Sequence, residues 1–340
     1  MQLQQRINAV VKLGTHLNDL AACDGTSEMA RQLQVAKAQN RWFTEDNLRF
    51  ACKSWGTALS EENIKNWLSP YQIEDIEPKV IAVVMAGNVP LVGFHDFLSV
   101  LVSGHKVIAK LSSNDKQLLP YLAGKLQVIE PGFEGFISFT EEKLEDFDAV
   151  IATGSNNTAR YFDYYFGKYP NIIRKNRNSV AVLNGSESAA QLEALSNDIF
   201  RYFVLGCRNV SKLYVPKDYN FDAFFNAMLT WKHVINDHKY INNYDYNKAV
   251  YLMSLLPLLD NEFLLLKEDS GFSSPISVVF YEYYEDEETL RRQLTENTEN
   301  IQCISTESDF AEAVPFGKAQ TPQLWDYADG VDTLDFLLKL

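Results

Sequence analysis

The run Val80-Ile81-Ala82-Val83-Val84-Met85 constrains this chain more than any other segment, because it is apolar throughout and rich in β-branched residues. A strand with no polar alternation has to be covered on both faces, as in a parallel sheet flanked by helices. The following residues repeat the theme. A turn at Ala86-Gly87-Asn88-Val89-Pro90 precedes a helical pattern over 91–103, with Phe94, Phe97, Leu98 and Leu101 on one side. Gly104-His105-Lys106 then turns into a second strand, Val107-Ile108-Ala109-Lys110-Leu111. Further strands are expected at 135–139, 149–152, 179–183 and 212–216, with helices at 116–126, 158–166, 187–203 and 221–231. This alternation specifies an α/β fold with a doubly wound parallel sheet.

The flanks read differently. Residues 1–70 are helical by the spacing of Leu3, Ile7, Val10, Val11 and Leu13, and Ser60-Glu61-Glu62-Asn63 has the form of a helix start. Residues 232–248, polar and rich in Tyr and Asn, read as a surface loop. A strand is expected over 275–284 and a helix from Asp286. With 340 residues, about two domains are expected. The expectation is N-terminal helices with a dinucleotide-binding domain over 1–205, a smaller catalytic domain over 206–310, and a C-terminal segment, 311–340, returning to the first.

Composition excludes several classes. Asp and Glu total 45 against 31 Lys and Arg, a net charge of −14 that repels phosphate backbones, so nucleic acid is not an expected partner. No run of 18 uncharged apolar residues provides a membrane span. The first residues lack the pattern of a signal peptide. The four cysteines, Cys23, Cys52, Cys207 and Cys303, are scattered without a CxxC pair, which argues against a zinc site and a disulfide framework. A reduced, cytoplasmic protein without a metal is the expectation.

Three places can carry chemistry. Cys207 follows an apolar helix and Gly206 and precedes a strand. Such a thiol is either a nucleophile, with Arg208 beside it favouring thiolate, or a buried structural cysteine. Asn88 lies on the first strand-to-helix turn, where its amide either serves the turn as a local cap or donates to a developing oxyanion. Thr153-Gly154-Ser155 ends a strand and opens a helix, whose N-terminus can receive a phosphate. No GxGxxG fingerprint is present.

In this order the pieces resemble the aldehyde dehydrogenase superfamily. Residues 86–91 are similar to its oxyanion-asparagine segment, and 103–110 to the segment that ends in a cofactor-binding lysine, here Lys110. Thr153-Gly154-Ser155 resembles its phosphate-facing turn. Phe203-Val204-Leu205-Gly206-Cys207, followed by Lys212, resembles its nucleophile segment. Residues 316–322 and 326–334, with 176–182, resemble the LuxC-type acyl-CoA reductase branch. The resemblance covers most of 79–340. It implies that Cys207 is the nucleophile, that Asn88 holds the oxyanion, and that Lys110, Ser112, Ser113, Thr153, Gly154 and Ser155 bind a nicotinamide cofactor. Superfamily members usually oligomerise through a hairpin before the first strand, for which 71–78 leave little room.

Two departures from the superfamily pattern carry information. Hydrolytic relatives have a glutamate base just before the strand that here starts at Ser179. Alignment on Ser179-Val180 puts Arg174 there, and no carboxylate lies between Phe166 and Ser186. A site without that base suits exchange between thioester and aldehyde rather than oxidation to acid. NAD-preferring relatives carry an acid three residues after the lysine, whereas here the residue is Ser113, after Ser112. That favours NADPH over NADH, since an acid would repel the 2′-phosphate.

The expected activity is NADPH-dependent reduction of an acyl thioester, with acyl-CoA or acyl-carrier protein as donor and a medium or long acyl chain. A partner enzyme could transfer the acyl group. His95, His105, His233 and His238 are the histidines open to a proton-donor role. Phe162, Tyr164, Tyr165, Phe166, Phe224 and Phe225 either pack the core or receive an acyl chain. The alternatives are an acylating dehydrogenase running toward acyl-CoA and a non-catalytic scaffold of the same fold.

Overall fold

The computed structural model describes residues 1–74 and 76–340. Four helices open the chain: α1 (Leu3–Ala22), α2 (Glu28–Gln39), α3 (Glu45–Ala58) and α4 (Glu61–Leu68). Ser27, Thr44 and Ser60 cap α2, α3 and α4, each accepting the backbone N–H three residues on. Each such cap contributes about 1 kcal/mol. The buried stripe of α1, Ile7, Val10, Leu13, Leu17 and Leu20, joins a core shared with Phe94, Phe97 and Leu98 and with the first sheet. Among the described residues of 71–78 there is no strand; Asp75 lies outside the described residues.

The first sheet follows the expected alternation: β1 (Val80–Val84), α5 (Phe94–Ser103), β2 (Lys106–Lys110), α6 (Leu118–Ile129), β3 (Ile137–Thr140), β4 (Ala149–Thr153), α7 (Asn156–Phe166) and β5 (Asn171–Arg174). Its order is β3-β2-β1-β4-β5, all parallel. The lack of polar alternation in β1 has a direct cause. Ile81 and Val83 enter the core built with α1, α5 and α6, while Ala82 and Val84 pack on the other face with Leu144, Val150 and Phe162. β5, with two isoleucines between Asn171 and Arg174, was not among the expected strands.

A second compact unit, Arg177–Pro322, is distinct from the first, Met1–Asn176 with Gln323–Leu340. It holds β6 (Asn178–Val182), α8 (Ala189–Phe200), β7 (Val210–Pro216), α9 (Asp222–Met228), α10 (His238–Met253), β8 (Leu259–Asp260), β9 (Leu265–Glu268), β10 (Val278–Tyr284), α11 (Glu287–Glu296) and β11 (Ile301–Ser305). Its sheet runs β11-β6-β7-β10-β9-β8 and is parallel except at β8.

Three sequence expectations differ from what is observed. The strand at 179–183, assigned to 1–205, pairs with β7 and β11 in the second sheet. Only a short turn separates it from β5, so no linker signals the change of sheet. Residues 232–248 are not a loop: a 3₁₀ turn runs to Asn236 and α10 follows. The buried face of α10 is made by Tyr240, Tyr244 and Asn247, which hydropathy does not score as a core stripe. Of the expected returning segment, 311–322 stays with the second unit, where Val314 bridges Ser305. Gln323–Leu340 belongs to the first unit, where α12 (Thr333–Leu338) buries Leu334 and Leu337. There Trp67 Nε1 donates to the Tyr327 hydroxyl at 2.8 Å and the Tyr71 hydroxyl donates to Asp332 at 2.7 Å. The strand at 301–305 and the hairpin of β8 and β9 also went unread.

Candidate active site

In the first unit, β1 lies between β2 and β4, with Val84 opposite both Lys110 and Ala152. The carboxyl ends of these three parallel strands therefore lie side by side. This is where the strand order reverses, the ligand-binding edge of open α/β sheets. The turns leaving this edge carry Asn88, then Ser112 and Ser113, then Gly154 and Ser155. The structure thus gathers every expected cofactor residue, and Asn88, at one sheet edge. Cys207 belongs to the second unit.

The 85–93 turn is held from several sides. Asn88 is exposed, and the N-cap of α5 is Gly93, so Asn88 is not the helix cap. A Cβ on Gly87 would fall 2.5 Å from Ser112 Oγ, so glycine is what lets the β1 and β2 turns approach. Asn40 Nδ2 donates to the Gly87 carbonyl at 3.3 Å. Leu91 has φ of 59°, left-handed backbone that costs a non-glycine residue roughly 1–2 kcal/mol. Its N–H donates to Asp115 Oδ2 at 3.2 Å. Asp115 is buried, and burial pushes its carboxyl up to about 6, with the Leu91 bond pulling the other way. Sequence reasoning missed Asn40 and Asp115, since neither stands within the Asn88 segment.

The expected cofactor residues form a donor set suited to phosphate. The Lys110 ammonium, at the end of β2, donates to the Glu142 carbonyl at 2.6 Å. Ser113 is exposed and Ser112 half-buried. Ser155 caps α7, accepting from Thr158 N at 3.2 Å, so the helix N-terminus opens at the sheet edge. A Cβ on Gly154 would meet Thr158 and Phe162 at about 3 Å, which fixes glycine in this turn. These groups fit a dinucleotide's pyrophosphate and ribose without any further ligand.

In the second unit, Cys207 follows an unusual backbone. α8 stops at Phe200, and Tyr202, Phe203 and Val204 then have φ of 59°, 57° and 62°. Three consecutive non-glycine residues in the left-handed region, one of them β-branched, persist only where surrounding contacts over-determine them. Those contacts are present. Asn209, buried, ties Gly206 to the end of α8, and Ser179 Oγ donates to the Cys207 carbonyl at 3.0 Å. The buried Asp198 carboxylate accepts from Gly317 N at 2.6 Å, Ala319 N at 3.0 Å and Ser305 Oγ at 3.2 Å. Burial pushes it up to about 6 despite these donors.

None of the cysteines is in a disulfide. Cys207 and Cys23 are half-buried, Cys52 and Cys303 buried. Burial pushes the Cys52 thiol up to about 12, and Cys23 Sγ donates to the Leu20 carbonyl at 3.1 Å. Arg208, expected to favour thiolate, directs Nε to the Ala319 carbonyl at 2.6 Å. Lys212 is an internal strut, fully buried against Glu282 at 2.6 Å and the Ser270 carbonyl at 2.9 Å.

The remaining expected groups are placed as follows. His95 and His105 lie in the first unit against the Leu324 and Leu337 carbonyls, and burial lowers both, so they are neutral fixtures of the C-terminal segment. His233 and His238 are exposed. Phe162 and Phe166 pack against the first sheet, Phe224 is buried in the second unit, and Tyr164 and Tyr165 are exposed. Among the described residues no group of three His, Cys, Asp or Glu is placed to hold a metal, and no helix is long and apolar enough to cross a membrane.

This fold is that of the aldehyde dehydrogenases. Aldehyde dehydrogenase 21 of Physcomitrella patens, solved with succinate, is similar at TM-score 0.68 and 14% identity, over 92% of this chain and 74% of that one. A Mycobacterium tuberculosis aldehyde dehydrogenase complexed with NAD+ matches at TM-score 0.64 and 14% identity, over 91% and 74%. A mutant of aldehyde dehydrogenase C of Pseudomonas syringae, in complex with NAD+ and octanal, matches at 0.63 and 10%, over 94% and 73%. No curated protein is significantly similar in sequence. The family model for acyl-CoA reductase (LuxC) matches residues 12–228, more than half of the chain, and the chain belongs to that family. The match starts within α1, so it includes most of the N-terminal helices. The protein is therefore an oxidoreductase acting between acyl-CoA and aldehyde.

Proposed function

We propose that the protein reduces an acyl thioester to the aldehyde with NADPH, through an acyl-enzyme on Cys207. Cys207 carries this reading: a half-buried thiol just past a stapled, left-handed segment, in a chain of the acyl-CoA reductase family.

Cys207 thiolate attacks the thioester carbonyl. The oxyanion accepts from the backbone N–H of Cys207, and the family resemblance assigns the amide of Asn88 as the second donor; one such donor is worth about 3 kcal/mol in transition-state binding. The C–S bond to the CoA or carrier thiol breaks, and that thiol departs, leaving the acyl group on Cys207. A nicotinamide cofactor held by Lys110, Ser112, Ser113 and the Thr153-Gly154-Ser155 turn would supply a hydride for the acyl carbonyl. Collapse of the thiohemiacetal then breaks the bond to Cys207, regenerating thiolate and releasing aldehyde.

The residue at the usual water-activating position supports this course. Arg174 is buried against Asp96 and Thr333, and no carboxylate lies between Phe166 and Ser186. The stretch that carries the water-activating glutamate in hydrolytic relatives therefore supplies no base here. Ser113 supports NADPH over NADH, because it adds no negative charge beside Lys110. A medium or long acyl chain is the proposed substrate class, with acyl-CoA or an acyl-carrier protein as donor.

The test is NADPH oxidation, followed by absorbance, with decanoyl- to palmitoyl-CoA, wild type beside Cys207→Ala. Aldehyde formation that depends on Cys207 is expected. Turnover by the alanine variant would overturn the mechanism, and an optimum at acetyl-CoA would overturn the chain-length assignment. Folded protein that binds NADPH yet does not turn over would point to a carrier-protein donor.

A further inference from the structure

We propose that Asn209 is a positioning residue for Cys207, its side-chain amide holding the nucleophile turn against the end of α8. The proposal rests on the reading of Cys207 as nucleophile and deepens it.

A helix leaves its last carbonyls without intrahelical partners. The usual remedy is a glycine just past the helix, in left-handed conformation, whose N–H groups turn back on them. No glycine follows α8 until Gly206. Here the task falls to Asn209, whose Nδ2 lies 3.1 Å from the Asp198 carbonyl, 3.2 Å from that of Ile199 and 2.5 Å from that of Arg201.

The same amide works in the other direction. Its Oδ1 accepts the N–H of Gly206 at 2.9 Å, while the Asn209 backbone N–H donates to the Gly206 carbonyl at 3.0 Å. Gly206 is thus gripped at both its polar atoms by one residue, with Cys207 and Arg208 as the central pair of the resulting turn. A helix cap alone requires the three carbonyl bonds. It does not require the bond to Gly206, which fixes the peptide that leads directly into Cys207. Tyr202, Phe203 and Val204, all left-handed, span the gap between the two ends of the amide. Without the amide, that strained segment can relax toward ordinary backbone and carry Cys207 with it.

A shift of the reacting sulfur by about 1 Å can lower a rate on the order of 100-fold. Asn209→Ala is therefore expected to slow single-turnover acylation of Cys207 by decanoyl-CoA between about 10- and 100-fold. NADPH affinity, read by fluorescence, should stay unchanged, and the pH profile of Cys207 alkylation by iodoacetamide should move. Adding Val204→Gly to Asn209→Ala should recover part of the rate, because glycine adopts the left-handed backbone without cost. A purely structural role would instead lower the amount of folded enzyme, leave the rate per folded molecule intact and gain nothing from glycine. Acylation within about twofold of wild type in folded Asn209→Ala, or no recovery with Val204→Gly, overturns the proposal. Should Asn209→Ala not fold, the same measurements on Asn209→Ser decide. Failure of the parent reading is separate: Cys207→Ala would then retain turnover, whatever substitution at Asn209 does.

Discussion

Arg174 and Asp96 form an ion pair buried inside the first unit, and Arg174 also donates to Thr333 Oγ1 at 2.9 Å. The pair ties the end of β5 to α5 and to the start of α12. Removing one member of such a pair leaves a buried charge uncompensated, at a cost of about 3–5 kcal/mol. Asp96→Ala should lower stability by that amount in urea unfolding. Arg174→Glu would face Asp96 with a second carboxylate. It should reduce the yield of folded protein and release no fatty acid from acyl-CoA, although it restores the residue type of hydrolytic relatives. Acid release by a well-folded Arg174→Glu variant would show that the position faces the acyl-enzyme.

Asp115 makes stability depend on pH with a defined sign. Its carboxyl is pushed up to about 6 in the folded protein, against 3.8 when exposed. Between these values the folded state binds more protons than the unfolded one, so this group's stabilising contribution is complete below pH 3.8 and is lost as pH rises through 6. Asp198 acts in the same sense over the same window. Asp115→Asn keeps an acceptor for Leu91 N–H without the buried charge. Its gain in unfolding free energy over wild type should be largest above pH 6 and vanish toward pH 4, with an amplitude on the order of 2–3 kcal/mol, and its gain in Tm should follow the same course. A Tm difference independent of pH would contradict the assignment.

The first sheet was legible because its physics is local. β1 is apolar on both faces, each turn carries Gly, Asn or Ser, and Ser155 opens α7 as a cap. The expected site residues of that sheet sit on or beside its turns, and it was the family resemblance rather than the local pattern that singled most of them out. What was illegible depends on contacts distant in sequence. Asp115 reaches Leu91, Asn40 reaches Gly87, and Asp198 reaches Gly317 and Ala319. The transfer of β6 to the second sheet is equally a matter of pairing rather than pattern.

α10 shows how a helix hides from hydropathy and yet packs. Tyr240 is fully buried and its hydroxyl donates to the Phe263 carbonyl at 2.9 Å, while Phe200 and Phe203 pack around its ring. Tyr240→Phe preserves the packing and leaves that carbonyl without its donor. Thermal or urea unfolding should show a loss of about 1–3 kcal/mol. Far-UV circular dichroism should be unchanged, since the ring still fills the core. A neutral result would mean that the Phe263 carbonyl finds another donor.

Ser113 offers the most direct reading of cofactor choice, because it is exposed and its replacement disturbs no packing. Two unit charges 4 Å apart repel by about 4 kcal/mol at the dielectric typical of a protein surface. An aspartate at 113 would therefore raise the KM for NADPH by at least about tenfold, even if only a third of that repulsion is felt. It would leave NADH unaffected or improve it, since a carboxylate can accept from free ribose hydroxyls. The kcat at saturating cofactor should stay near that of wild type, because Ser113 lies at the sheet edge in the first unit and not on the Cys207 turn. Ser113→Ala separates charge from lost hydrogen bonding and should change both KM values by less than about threefold, the worth of one exposed hydroxyl. Equal weakening of NADPH and NADH by Ser113→Asp would remove the charge argument and, with it, the preference for NADPH.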